Sequence, residues 1–450
     1  LPTQARLHLK AGLAWREQAF DLINFSRRWS YVGTAGLRAD STAVPFALLK
    51  TGLPLPRWMM SDFIHKGEPV DPSLWREDFY YKQQLNYTGT RGAAEAVTAA
   101  YGMAQGRLGR AGFLGRTGFL GGVRVERTDT RSYGWVRARF GSTAAQQQAD
   151  PVGSADRDYA NTRRTSRGRT TKSFPSVHLT HDLTSNLKAR ASWSTSFGRP
   201  ALTNLLPNET VSETNQTVTI NNPSLLPQMA KNWDFSLEYY FEPVGNFSVG
   251  WFHKTITDYI VSGTNAGIVP GGNDNGYNGE YEGFTRLTAA NAGTAFVQGW
   301  EFSYQQQFTF LPGLLRGLSG SANYTVIATH GNFGGTANRK TGEVAGFIPK
   351  AANASLSWRH RSFSTRLLYN FTGNHISSYS ATSPALNLYR MERNTVSLGL
   401  AYQLRPSLAF SCDVANLFNE PQRIYAGVPG RTQDWIINFV TITLGVNGRF

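Results

Sequence analysis

Between Asp434 and Phe450 the chain alternates. Val440, Ile442, Leu444, Val446 and Phe450 fall on one parity, and Thr441, Thr443, Asn447 and Arg449 on the other. Successive side chains of a strand point to opposite faces, so this segment would be apolar on one side and polar on the other. The pattern recurs. Leu187, Ala189, Ala191, Trp193 and Phe197 alternate with Lys188, Arg190, Ser192, Ser194 and Ser196, while Trp233, Phe235, Leu237, Tyr239 and Phe241 alternate with Asn232, Asp234, Ser236 and Glu238. Phe363 to Phe371, Val396 to Leu404 and Leu408 to Phe418 follow the same rule. The runs reach about ten residues, the length that crosses a bilayer at a tilt, whereas a soluble strand is commonly about five or six. They predict strands with lipid on one side and water on the other.

The connections between these runs come in two lengths that alternate. Short turns fall at Leu183 to Asn186, Glu242 to Gly245, Phe310 to Gly317, His360 to Ser362 and Leu404 to Ser407; long polar segments fall at 198-228, 261-294, 330-347, 373-390 and 419-433. Outer-membrane barrels have short periplasmic turns and long outer loops, so the fold class is an all-β transmembrane antiparallel β-barrel. Counting back from Phe450 places roughly fourteen strands, an even number that fits a closed barrel. They lie near 4-17, 92-106, 116-130, 172-182, 186-197, 231-242, 246-260, 295-309, 317-329, 348-360, 362-373, 391-404, 407-418 and 434-450. In the first, Leu7, Leu9, Leu13 and Trp15 oppose Arg6, His8, Lys10 and Arg16. Segments 18-91 and 131-171, the second rich in arginine, are expected as extracellular loops.

Composition changes little in this picture. The 450 residues include 45 Gly and 13% aromatics, and the mean hydropathy is -0.34. No apolar run approaches the length of a membrane-spanning helix, but a barrel hides its apolar surface in alternation. The single cysteine, Cys412, sits on the apolar parity of its run and reads as a packing residue.

Several segments carry a family resemblance. Asn222-Pro-Ser-Leu-Leu-Pro-Gln, Trp233-Asp-Phe-Ser-Leu-Glu-Tyr-Tyr-Phe, Phe252-His-Lys-Thr-Ile-Thr-Asp-Tyr-Ile and Gly299-Trp-Glu-Phe-Ser-Tyr resemble barrel segments of TonB-dependent outer-membrane receptors. So do Phe310-Leu-Pro-Gly with Ala322-Asn-Tyr-Thr, Gly346-Phe-Ile-Pro-Lys, Asn416-Leu-Phe-Asn, and the run from Leu187 that ends Phe197-Gly-Arg-Pro. The similarities occur in order from about Arg91 to Phe450. The resemblance implies an outer-membrane receptor and active transporter that takes a scarce solute, a carbohydrate or an iron-siderophore-like chelate, into the periplasm. It implies the TonB-ExbB-ExbD energising complex as a partner, contacts with outer-membrane lipid and lipopolysaccharide, a small solute ligand, a possible surface lipoprotein and no cofactor; nucleic acid is not expected as a partner, because the basic residues are not organised on a helix or an aromatic-bearing sheet face. Transporters of this kind are barrels of roughly 22 strands with a plugged lumen. The chain departs from that pattern at its start, where plug, TonB box and export signal are not found, so a C-terminal part of a longer protein is expected.

Candidate ligand contacts are aromatic rings outside the alternation, Trp29, Tyr31, Trp58, Trp75, Tyr80, Tyr81 and Trp135, which could stack on a solute or pack the loops together. Lys188, Arg190, Asp234, Glu238, Glu301 and Asp413 are expected to line the lumen. The net charge is +15, and Arg163, Arg164, Arg167, Arg169 and Lys172 form a basic cluster suited to phosphates or to solvent. His178 and His181 are three apart, which on a strand sends them to opposite faces and argues against shared metal ligation. Gly271 to Glu282 has some calcium-loop offsets but a glycine where the first acid belongs. No nucleophile, phosphate-loop or zinc motif is present, so no catalytic residue is expected. A passive porin or degenerate barrel is the alternative reading, and a barrel enzyme a more distant one.

Overall fold

In the computed structural model, residues 7–33, 40–44, 55–57, 64–65, 68–69, 71–109, 111–242, 244–331, 343–380 and 383–448 are described. Trp58, Arg6, Arg449 and Phe450 lie outside them. One large sheet dominates, and fourteen of its sixteen strands follow each other in chain order. They are β1 (His8–Ile23), β2 (Thr90–Arg107), β3 (Thr117–Trp135), β4 (Arg163–Asp182), β5 (Leu187–Gly198), β6 (Gln228–Phe241) and β7 (Gly245–Ile268). The path continues through β8 (Thr285–Gln307), β9 (Leu318–Gly331), β10 (Lys350–His360), β11 (Phe363–Thr372), β12 (Arg393–Arg405), β13 (Leu408–Ala415) and β14 (Thr441–Gly448). Each expected strand has its counterpart, and every neighbouring pair in the path is antiparallel.

Register carries the alternation around the wall. Arg190 faces Ser236, Ser236 faces Gly250, Gly250 faces Glu301 and Glu301 faces Thr325, so these side chains share one polar face. The opposite face carries Phe235, Trp251, Trp300 and Phe302, with Leu237 half exposed. A one-residue slip would exchange the two faces, so the alternation itself fixes the register. The exposed apolar rows are the lipid-facing surface of a barrel wall. The path ends at β1 and β14, and among the described residues no pairing joins them. Leu13 is 86% exposed and Leu444 76%, against 50% for Leu237, because each end strand has a neighbour on one side only.

Strands β4, β7 and β8 run eight to ten residues further outward than the alternation suggests; β7 and β8 stay paired to Ile268 and Thr285, with register shifts after Val261 and Asn265. Beyond the hydrocarbon both faces meet water, so the apolar parity fades while the backbone ladder continues. The expected loop 131-171 is therefore corrected: Arg163 to Thr171 is strand, paired with Arg127 to Trp135. The expected strand 434-450 is corrected too, because Thr432–Ile436 belongs to a separate sheet with Gln422–Ala426 and wall pairing resumes at Thr441. The lumen-side face is not polar throughout either. At the outer ends of β6 to β8, Ala230, Ile256, Ala295 and Val297 pack with Val344 into a buried apolar cluster.

Candidate functional site

The outer connections build a cap from three helices: α1 (Phe79–Thr88), α2 (Ala144–Ala149) and α3 (Pro151–Tyr159). Local sequence starts each one. Asp78 accepts the Tyr81 N–H at 2.9 Å, Thr143 and Gln146 form a reciprocal capping box, and Asp150 accepts the Gly153 N–H with Pro151 in the first turn. Ser154, Ala155, Asp158 and Tyr159 are the buried residues of α3, spaced as one helix face. Fully buried Asp158 accepts hydrogen bonds from the Tyr80 hydroxyl (2.6 Å), the Ser142 N–H (2.6 Å) and Arg137 Nε (3.1 Å). Arg137 also donates to Glu280 at 2.6 Å. Gln83 and Tyr87 both donate to Asp156 at 2.7 Å, and these bonds hold its carboxyl below the ordinary aspartate value. Segments 71–89, 136–162 and 269–284 are thereby tied together.

Below the cap, the polar face of β1 to β3 carries a ladder of charges. Arg199, just past β5, reaches Glu95 at 3.3 Å and also pairs with Glu126. Arg16 holds Glu95 at 3.0 Å and Arg124 holds Glu126 at 2.9 Å. Glu95 is 3% exposed and Glu126 7%, so both carboxylates depend on these guanidinium groups. Further toward the short-turn end, a recess of about 230 Å³ is lined on the polar face by His178, Thr180, Arg190, Asp234 and Glu301, and Gly250 leaves room at its floor.

All six residues expected to line the lumen lie on the polar face. Arg190, Asp234 and Glu301 share the recess, Arg190 bonds Glu238 at 2.6 Å, and Lys188 reaches Asp182 at 3.4 Å. Asp413 lies far along the sheet, opposite Gly399. The described aromatic residues do not form one site. Tyr31 packs edge-on against buried Trp75 at 5.4 Å and Arg27 covers Trp29, whereas Tyr80 belongs to the Asp158 network. Tyr81 bonds Ser26 and lies under Arg28; Trp135 sits on the apolar parity of β3 beneath Arg163. His178 faces the recess while His181 bonds Thr117 at 2.8 Å on the other face. Asn275 spends its side chain on Tyr277, Gly279 and Glu280 within its own loop.

A fourteen-strand antiparallel path with one lipid-facing parity, a polar lumen face and a built outer cap agrees with the family model for the β-barrel of TonB-dependent receptor-like proteins, which matches residues 4–418. The chain belongs to this family. Its place is the bacterial outer membrane. No curated protein matches it by sequence. Among solved structures it is similar to the ferric-catecholate import receptor Fiu of E. coli K12, with a TM-score of 0.60 and 14% identity, over 99% of this chain and 52% of that one. It is similar to the siderophore receptor PiuA of Acinetobacter baumannii (0.59, 13%, 100% and 54%) and to a variant of the ferric enterobactin receptor PfeA of Pseudomonas aeruginosa (0.51, 16%, 85% and 56%). The receptor chain spans about half the length of these structures.

Sequence reasoning missed Arg137, Asp158, Glu280, Glu95, Glu126 and Arg199. Two local signals existed: Asp150-Pro151 as a helix start, and Arg199 within the Phe197-Gly-Arg-Pro segment. The cap also holds Glu209, whose carboxyl is pushed above its ordinary value by burial, a hydrogen bond from Tyr277 opposing the shift. A raised carboxyl disfavours the ordered cap when ionised. The penalty is absent below the ordinary value near 4.5, grows as pH rises toward the raised value, and is complete above it. Glu209→Gln is therefore expected to slow hydrogen exchange in 199–227 at neutral pH, with the difference from wild type vanishing as pH falls. Equal exchange at neutral pH would contradict it.

Proposed function

We propose that the receptor takes up an anionic metal chelate across the outer membrane, with energy supplied through TonB. The observation that carries this reading is the charge of the lumen face. Cations outnumber carboxylates there, and Lys10, Arg164, Lys172, Lys254 and Arg366 have no ion pair among the described residues. A ferric ion wrapped in deprotonated oxygen donors presents negative charge at its surface, which guanidinium and ammonium groups attract and guide. Fiu, PiuA and PfeA are described as ferric-catecholate, siderophore and ferric enterobactin receptors, which supports the chelate over a neutral sugar. So does the commitment of the described candidate rings Tyr31, Trp75 and Tyr80 to packing and hydrogen bonding, since sugar capture would need exposed ring faces. The part played by the protein is capture and passage, with no bond made or broken.

The test uses cells carrying the intact protein and starved of iron. Uptake of a radiolabelled ferric tricatecholate is expected to saturate, to resist competition by a neutral oligosaccharide, and to stop when TonB is deleted. Uptake that survives TonB deletion would make the barrel a passive pore, and full competition by the oligosaccharide would reassign the solute.

A further inference from the structure

Toward its outer end, the outward face of β1 to β4 is divided by charge. On β4, Arg164 and Lys172 face the lumen while Arg163, Arg167 and Arg169 point outward, and β3 adds Arg127 and Arg131 to the outward set. On β1 the outward charges are Glu17 and Asp21. Between the two groups runs β2, whose outward positions Ala94, Ala96, Thr98, Ala100 and Gly102 carry no side chain larger than threonine. Part of the charge is settled within the chain. Asp129 accepts from Arg127 at 2.8 Å and from Arg169 at 2.7 Å, Asp21 accepts from the Tyr133 hydroxyl, and Arg163 lies over Tyr133 and Trp135.

The rest is not settled. Glu17, Arg131 and Arg167 are exposed, and their side chains have no hydrogen bond or ion pair among the described residues. Arg131 and Arg167 are direct cross-strand partners, a position in which like charges repel. Two strand spacings, about 10 Å, separate Glu17 from β3, and no ion pair spans them. From Thr117 at the short-turn end to Arg127, a rise of about 3.3 Å per residue at a tilt of about 40° spans roughly 25 Å, the height of the apolar band of such barrels. At and below that level the same face carries Leu13, Trp15, Val123, Val125, Val177 and Leu179, all exposed. The free charges therefore stand just above hydrocarbon.

Shape and charge together say what fits this face. A barrel wall is convex, so a second wall meets the central strand first and the flanking strands last. Small residues on β2 and long ones beside it offset that curvature: Ala94 lies buried between its neighbours, whereas Leu13, Trp15 and Arg131 stand out. Two copies of a barrel in one membrane share an orientation, so a two-fold axis relating them runs along the membrane normal. It sets one flank of each wall against the opposite flank of the other at equal height. With the axis beside Ala96, the acidic flank of each copy faces the basic flank of its partner. Facing strands cross at about twice their tilt, roughly 80°, which confines close contact to a patch around Ala96. Glu17 is the direct neighbour of Ala96 on β1, and Arg127 and Arg131 flank its neighbour Asp129 on β3.

We propose that this face joins two copies of the receptor in the outer membrane, with Glu17 of each copy against Arg127 and Arg131 of the other and Ala96 at the axis. Such an interface is isologous, so both charged contacts form at once. Each copy supplies the acid that the arginines of the other lack, and charge complementarity of this kind fixes orientation and disfavours other partners. Below the charges, Trp15 and the valine row are covered by the facing wall. The inference rests on the outer-membrane location and is independent of the solute carried through the lumen.

The test is cross-linking with a short bis-maleimide in outer membranes of cells carrying the intact protein, with Cys412→Ser removing the native thiol. A residue on a two-fold axis meets its own copy, so Ala96→Cys is expected to give a covalent homodimer. Leu237→Cys, on the outward face of β6, should give none. Adding Glu17→Arg to Ala96→Cys should cut the cross-linked fraction about tenfold, since it sets like charges against Arg127 and Arg131. Arg127→Glu with Arg131→Glu then reverses the other flank and should restore the dimer, which a mere loss of folding would not allow. Should Glu17→Arg fail to assemble, Glu17→Gln removes the charge alone, and a loss of about threefold is expected, the worth of an exposed ion pair. A monomer only from Ala96→Cys, cross-linking to a different protein in place of its own copy, an equal yield from Leu237→Cys, or no recovery on charge exchange would each overturn the proposal.

Discussion

Asp158→Ala is expected to free the outer cap while leaving the wall intact. Asp158 is fully buried and Arg137 nearly so, and removing the carboxylate leaves the guanidinium with Glu280 as its remaining acid and strips the acceptor from Tyr80 and from the Ser142 N–H. Breaking one side of such a buried pair costs about 3–5 kcal/mol, because the surviving charge lies out of solvent and has lost one of its two partners. The cost falls on the three joined segments, since β3 and β4 are paired through their own backbones. Hydrogen exchange in 137–160 and 278–284 should accelerate and protease should cut there, while the folded barrel keeps its resistance to detergent. Asp158→Asn, which keeps one acceptor oxygen and loses the charge, should fall between the two. Unchanged exchange in Asp158→Ala would mean that the segments are held by something other than this network.

The wall was legible in the sequence because a lipid-facing strand has to alternate. Wherever one face meets hydrocarbon, as at Trp233 to Tyr239, a one-residue slip is costly, and position and register follow from parity. The reading failed where that constraint ends. Ser262 to Ile268 and Thr285 to Thr294 stand above the lipid, so no lipid-facing parity marked them as strand. The arginines of β4 read as a loop for the same reason, and their division into an outward and a lumen set appeared once Arg167 was found opposite Arg131. The cap and ladder were invisible for another reason. Arg137 meets Glu280 across 143 positions and Arg199 meets Glu126 across 73, and no local spacing announces a pair at such a separation. Capping residues could locate α2 and α3, but not what Asp158 would touch.

Arg199→Ala is expected to have the second large effect, on the outer wall. Arg199 stands between Glu95 and Glu126, two buried carboxylates on adjacent strands. Without it Arg16 still holds Glu95 and Arg124 still holds Glu126, but each carboxylate loses its shared cation and the two are left facing each other in a poorly solvated place. A loss of about 3–5 kcal/mol in thermal or denaturant unfolding in detergent follows from the ordinary cost of uncovering a buried charge. Part of it should appear as faster exchange in 199–227, which Arg199 anchors to the wall. Arg199→Lys keeps the charge but cannot fork between two acids, so it should recover less than half. The decisive comparison is a cycle with Glu95→Gln and Glu126→Gln. In that background Arg199→Ala should cost little, since no buried charge remains to be uncovered. An equal cost in both backgrounds would show that Arg199 acts by packing on Phe197, which its guanidinium covers at 4.6 Å, and that the ladder of charges contributes nothing through pairing.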